Sequence, residues 1–341
     1  MSKFAPNLAY FEILTAHSTY INRCLQLAEQ GRGKTTPNPL VGCVIVNQQN
    51  TIIAEGYHEE YGHAHAEINA LNKVPEETDL SECTMYVNLE PCSHFGKTPP
   101  CCEAIIKSTI KKVVIGMKDP NQLVAGKGIE KLKQNNIEVI VPVNQKKCEL
   151  YNRQFLHYLS KKRPYVILKW AESFDGIMAP SVDKYKKISN EISQILVHKL
   201  RSEVDAILVG SNTIIDDNPL LNTRFWHGKS PQIFVLDPEK KVNKSYNIFQ
   251  SAKPPFVIQS RENNLIQSIF QIAEENNIYT FLVEGGPYTI SKFIEKSLWD
   301  EAFIIKSENK IIEGLKSPRI VGEQIGTYTI GDNYINHILA L

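Results

Sequence analysis

The chain has 341 residues, more than one compact core commonly holds, and 38 Lys+Arg against 37 Asp+Glu. That balance, with both signs spread along the chain, leaves no electrostatic footprint for nucleic acid or an acidic partner, so a small-molecule substrate is expected. No apolar run approaches the ~20 residues of a membrane span and the first residues carry no apolar leader core, which predicts a cytoplasmic protein without a membrane partner.

In chain order, "TYINRCLQLAEQG" predicts a helix that stops at Gly31. "LVGCVIV" and "TIIAEGY" predict a hairpin across "NQQN", and a helix opens at His65. A strand "TMYVNLE", a helix "PPCCEAIIKS", a strand "KKVVIGM", a helix "KGIEKLKQNN" and a strand "IEVIVPV" follow, giving an α/β layer with about five strands. The stretch "NRQFLHYLSKKRP" is polar and basic near Lys161 to Pro164, where a domain junction is expected, with the two domains bounded at residues 158 and 159. A second α/β series begins with the strand "YVILKWA", the helix "NEISQILVHKLRS" and the strand "DAILVG". It continues through "PQIFVLD", "PPFVIQS" and "YTFLVEGG", while the chain from about Asn309 has only weak periodicity.

Seven cysteines, an odd number in a chain without a secretion signal, argue for reduced thiols or metal ligands. Cys24, Cys43, Cys83 and Cys148 lie in or beside apolar stretches and read as small core residues. Cys92, Cys101 and Cys102 are clustered, and with His65 they supply the nitrogen and thiolate donors that zinc prefers. A catalytic zinc takes three protein ligands and acidifies water, so a carboxylate must then move protons. Glu67 fits that role through the H-x-E…P-C pattern of zinc nucleobase deaminases, in which the glutamate is the general acid/base and not a ligand. Spacing departs from that pattern, because Cys101 lies nine positions after Cys92 and Cys102 ten, so spacing leaves the third ligand open. His63 is either a substrate contact or a solvated neighbour.

The stretches "TTPNPLVGCVIV", "HAEINAL", "YVNLEPCSHFGKTPPCCEAI" and "DPNQLVAGKGIEKL" closely resemble the bifunctional riboflavin-biosynthesis deaminase/reductase family. The resemblance implies a cytidine-deaminase-like domain over residues 1–158 and a dihydrofolate-reductase-like domain over residues 159–341. It implies Zn2+ on His65, Cys92 and Cys101, with Glu67 as proton shuttle. Asn38, His63, His94, Lys97 and Thr98 fall where the family surrounds the pyrimidine and its ribose 5-phosphate.

In the second half, "RPYVILKWAESFDG", "VHKLRSEVDAILVGSNTIIDDNPLLNTR" and "FLVEGGP" carry the resemblance. It places Arg201, Leu221, Arg224 and Glu284 on the substrate and Lys187, Thr213, Asp217, Gly285 and Gly286 on NADPH. It further implies a homo-oligomer, dimer or tetramer. Two expectations follow: hydrolytic deamination of 2,5-diamino-6-ribosylamino-4(3H)-pyrimidinone 5′-phosphate, then NADPH-dependent reduction of the ribosyl group. One departure stands out, since "PSVDKYKKISN" has Tyr185 and Lys187 where the family usually has serine and tryptophan. The rival expectation is therefore a deaminase with a degenerate reductase-like partner domain; a zinc-dependent nucleic-acid module is opposed by charge balance and by the absence of finger spacing.

Overall fold

The computed structural model describes residues 8–94, 99–121, 125–181, 188–259 and 265–341. The chain forms two compact units, Met1–Ser160 and Lys161–Leu341. No helix among the described residues is long and apolar enough to cross a membrane.

The first unit contains α1 (Leu8–Ala28), β1 (Gly42–Val46), β2 (Ile52–Tyr57), α2 (Ala66–Leu71), β3 (Thr84–Leu89) and α3 (Cys101–Lys107). It continues through β4 (Lys112–Met117), α4 (Lys127–Gln134), β5 (Glu138–Ile140), α5 (Gln145–Tyr151) and α6 (Arg153–Lys161). Its five-stranded sheet has the order β2-β1-β3-β4-β5, with β1 antiparallel to both neighbours and β3, β4 and β5 parallel.

Alternation along the strands sorts the core into two faces. Cys43, Ile45, Met85, Val87, Val113 and Ile115 pack with residues of α2, α3 and α4, whereas Val44, Val46, Tyr86 and Val114 pack with Ile21, Cys24 and Leu25 of α1 and Cys148 of α5. Both faces are covered, which explains why these strands read as continuous apolar runs. A Cβ on Gly56 would lie 2.3 Å from Ala70 N, so only glycine lets α2 lie this close to β2.

The stretch read as a polar junction is instead helical, since α5 and α6 run through it. Phe155, Leu156 and Leu159 recur one helical turn apart, and Leu156 packs against the α1-side core. The basic residues around them obscured that stripe. The 158/159 bound lies inside α6, which ends at Lys161, and the two units part between Ser160 and Lys161.

The second unit contains β6 (Tyr165–Glu172), β7 (Ile177–Pro180), α7 (Glu191–Ser202), β8 (Ala206–Gly210), α8 (Ser211–Asp217), β9 (Gln232–Leu236) and β10 (Phe256–Ile258). It closes with α9 (Leu265–Glu275), β11 (Thr280–Val283), α10 (Pro287–Glu295), β12 (Glu301–Ser307), β13 (Gly314–Lys316), β14 (Gly322–Ile330) and β15 (Asn333–Ala340). The eight-stranded sheet has the order β10-β9-β8-β11-β6-β12-β15-β14; all neighbours from β10 to β12 are parallel, and β15 and β14 extend it antiparallel. The weakly periodic end of the chain is thus a long hairpin, one of whose strands, β14, forms the sheet edge with no fully buried residue. The buried positions of β15 are Asn333, Ile335 and His337, two of them polar, so no apolar alternation betrays it.

Candidate functional site

His65 caps α2 with extended backbone, and Glu67 sits in the first turn, only 3% exposed. Cys92 follows β3, and Cys101 is the first residue of α3 behind Pro100. The sheet order brings these together, because β1 and β3 are neighbours and the connections after β2 and β3 emerge beside one another. His65 Nδ1 is 3.6 Å from Cys92 Sγ and 3.3 Å from Cys101 Sγ, and the Cys101 amide donates to Cys92 Sγ at 3.2 Å.

Among the described residues, these three form the one His/Cys/Asp/Glu group with metal-holding geometry, their ligand atoms all within 4.8 Å of one another. Tetrahedral zinc with bonds of ~2.3 Å to sulfur and ~2.0–2.1 Å to nitrogen sets donor separations of about 3.6–3.8 Å, so the set fits the ion. Cys102 points away: its Sγ faces Pro91 O at 3.4 Å and Gly128 O at 3.6 Å, in the core. The other four cysteines are buried and free.

Hydrogen bonding from Cys101 and His65 holds the Cys92 thiol well below its ordinary range, while the bond to Cys92 and burial push Cys101 up. His65 is raised, chiefly by its bond to Cys92. Burial raises Glu67, and the charge of Cys92 adds to it.

His65, Glu67 and Cys92 line a cavity of about 290 Å³ that also meets Asn38, His63 and His94. Lys97 and Thr98 lie outside the described residues. The sequence reading did not single out four further wall residues, His58, Glu90, Asp119 and Asn121. Burial keeps His58 low; its Nδ1–H donates to Ala64 O, and its Nε2 accepts from Asn38 Nδ2 at 3.1 Å. The one sequence signal for these residues is that they are polar groups beside apolar strand ends, which many turns share.

In the second unit, Glu284 follows β11 and is 6% exposed at its side chain. Arg201 on α7 grips it through Nε and Nη2 at 2.8 and 3.0 Å, and Lys169 on β6 reaches it at 2.9 Å. Burial alone would raise Glu284, yet the Arg201 and Lys169 charges overcome that and bring it down to about 2. Lys169 was legible only as one cation inside the apolar run "YVILKWA".

Arg201 also donates to Asn222 O at 3.3 Å. Arg224 is exposed, bonds Asn222 Oδ1 and lies 4.7 Å over the Phe225 ring, and Leu221 is buried beneath this loop with positive φ. His198, one turn before Arg201, is lowered to about 4 by burial and the two arginines.

Gly285 and Gly286 join β11 to α10, which has Pro287 at its start. No heavy atom would meet a Cβ on Gly286 within 4 Å, so the turn leaves space before a helix N-terminus, a cradle suited to a phosphate. Thr213 and Asp217 lie on α8, directly after β8, the neighbour of β11. These positions sit at the carboxyl ends of adjacent parallel strands, where open α/β sheets bind ligands. Tyr185 and Lys187 lie outside the described residues.

Residues 14–117 match the cytidine and deoxycytidylate deaminase zinc-binding region, and residues 164–324 match the RibD C-terminal domain. The chain is 37% identical over 316 residues to the riboflavin biosynthesis protein RibD of Aquifex aeolicus, spanning 87% of this chain and 88% of that one. It is 32% identical over 318 residues to RibD of Escherichia coli, spanning 84% and 86%. A crystal structure of a diaminohydroxyphosphoribosylaminopyrimidine deaminase/5-amino-6-(5-phosphoribosylamino)uracil reductase from Thermotoga maritima superposes with a TM-score of 0.84 at 32% identity, covering 96% of this chain and 99% of that chain. Two domains in this order, with matches along nearly the whole chain, make it a member of the RibD family of riboflavin biosynthesis, bifunctional enzymes that couple a zinc deaminase to an NADPH-dependent reductase.

Proposed function

We propose that the first unit hydrolytically deaminates a diaminohydroxyphosphoribosylaminopyrimidine, 2,5-diamino-6-ribosylamino-4(3H)-pyrimidinone 5′-phosphate, and that the second reduces the resulting 5-amino-6-(5-phosphoribosylamino)uracil to the ribitylamino product. One observation carries the first half: a buried carboxyl, Glu67, lines one cavity with His65 and Cys92, which with Cys101 form the donor set. Those three residues would hold zinc, which when bound supplies a water acidified to near neutrality. Glu67 moves the protons. Its raised pKa suits the task, because a carboxyl that holds its proton closer to neutral pH both accepts and returns one readily. Asn38, His63 and His94 offer polar groups to the pyrimidine, with Lys97 and Thr98 assigned to its phosphate.

In the second unit Glu284 stays ionised and accepts from substrate hydroxyl groups, while Arg201 orients it. Arg224, exposed at the loop edge, pairs with the substrate phosphate, and Leu221 shapes that loop. NADPH would lie along Gly285 and Gly286 with Thr213, Asp217 and Lys187, supplying hydride to the opened sugar. We further infer a cytoplasmic homo-oligomer, dimer or tetramer; sedimentation at monomer mass would exclude the oligomer.

The test is product analysis by mass spectrometry on the purified chain. Deaminated intermediate without NADPH and ribitylamino product with it are expected. Deamination alone at saturating NADPH would leave the second unit a degenerate partner.

A further inference from the structure

Three carboxylates, Glu67, Glu90 and Asp119, line the deaminase cavity, and the surroundings of the two glutamates differ. Glu67 is raised by burial beside the zinc-ligand set. Glu90, two residues before Cys92 and 4% exposed, is engaged among the described residues by main-chain donors. Its Oε2 accepts from Asp119 N at 3.2 Å and Gly126 N at 3.1 Å, and its Oε1 accepts from Gly128 N at 3.0 Å and Ile129 N at 3.3 Å. A carboxylate offers about four lone-pair sites, so these four donors, set between the end of β4 and the start of α4, fill them.

That segment carries Asp119 and Asn121 into the cavity wall. Asp119 is fixed a second time, since its Oδ1 accepts the Asn121 amide at 2.8 Å. The anchor is close-fitting at its far end: a Cβ on Gly128 would lie 2.2 Å from Pro91 O and 3.1 Å from Glu90 Oε1. Four main-chain donors converging on one charged acceptor fix a loop more firmly than the same donors left to water.

We propose that Glu90 is a positioning residue for the deaminase reaction, a buried anchor that sets the Asp119–Asn121 wall against the substrate and takes no part in zinc binding or proton transfer. The proposal rests on the deaminase reading above. A filled carboxylate has no acceptor site left for a substrate hydrogen or a metal, whereas losing it would leave main-chain N–H groups buried without partners and release the wall. Substrate binding should then weaken while the chemical step, run by Glu67 beside the metal, persists.

The experiment uses the full-length zinc-loaded enzyme. Glu90→Gln replaces two acceptor sites by an NH2 group facing N–H donors. It is expected to raise the deaminase KM by about tenfold or more, leave kcat within about threefold and leave the zinc content unchanged. Amide hydrogen exchange should quicken by at least about tenfold at Gly126, Gly128 and Ile129.

Asn121→Ala alone should raise KM, and adding Glu90→Gln to it should raise KM by no more than about twofold further, because both act through one wall. A fall in kcat at unchanged KM, loss of zinc, or full additivity of the two substitutions would each overturn the proposal. Should Glu90→Gln fail to accumulate, Gly128→Ala decides, since it crowds the same bonds and leaves the carboxylate in place: a raised KM supports the anchor and a parental KM overturns it. The deaminase reading fails separately, if Glu67→Gln turns over normally, and the exchange rates would still report whether Glu90 holds the loop.

Discussion

Replacing Glu284 by glutamine tests the buried ion cluster of the second unit. The substitution keeps shape but removes the one anion between Arg201 and Lys169, whose side chains are 11% and 15% exposed. Breaking a buried pair from one side costs about 3–5 kcal/mol, because the remaining charge has no compensation. Here two cations lose their counter-charge, while Arg201 retains its bond to Asn222 O and the glutamine oxygen can still accept one hydrogen bond, so the full range applies. At a urea m-value of about 2 kcal/mol/M the midpoint should fall by about 1.5–2.5 M.

The assay is simple to localise, since all three tryptophans, Trp170, Trp226 and Trp299, lie in the second unit and their fluorescence follows its unfolding alone. The pH dependence has a definite sign. With the folded pKa at about 2 and an unfolded value near ~4.3, the carboxylate's stabilisation is fully present above pH ~4.3 and is lost as pH falls to about 2. The difference between parent and variant should therefore narrow across that window. A midpoint shift under about 0.5 M, or a difference constant down to pH ~2, would refute the reasoning.

Glu67→Gln should retain zinc and lose about 10²–10⁴ in deaminase rate, with reduction of supplied intermediate intact; near-parental turnover would remove Glu67 from proton transfer. Cys101→Ser should release zinc and Cys102→Ser should not, as metal analysis will show, and the reverse pattern would exchange their roles. Lys187→Trp should change NADPH affinity by up to about tenfold, read by titration, because it exchanges a charge-assisted contact for an aromatic surface. An unchanged affinity would place Lys187 away from the cofactor.

The fold was most legible where strands are buried on both faces. "LVGCVIV", "TMYVNLE" and "KKVVIGM" are apolar because α1 and α5 cover one side and α2 to α4 the other. The signal faded in α6, where basic residues flank the apolar stripe, and in the β14–β15 hairpin, where β14 buries nothing fully and the buried face of β15 carries Asn333 and His337. Within the candidate site, His65, Glu67, Cys92 and Cys101 stand out because metal chemistry restricts residue type and order. Lys169 and Glu90 do not, because an ion pair or a main-chain anchor is defined by partners far along the chain, 115 positions for Lys169 and Glu284 and 29 to 39 for Glu90.

Cys101 and Cys102 share one short helix yet belong to different worlds: one thiol faces His65 and the other is turned into the core, with the Cys102 amide also bonded to Cys92 O. The candidate metal ligands are thereby tied to the hydrophobic interior from both sides of the sequence that separates Cys92 from Cys101. Anchoring of that kind lets the lettering of a loop change over generations while its ends stay put. New substrates can be recruited to an old hydrolytic centre by editing one loop, and a laboratory could graft that loop between relatives on the same terms.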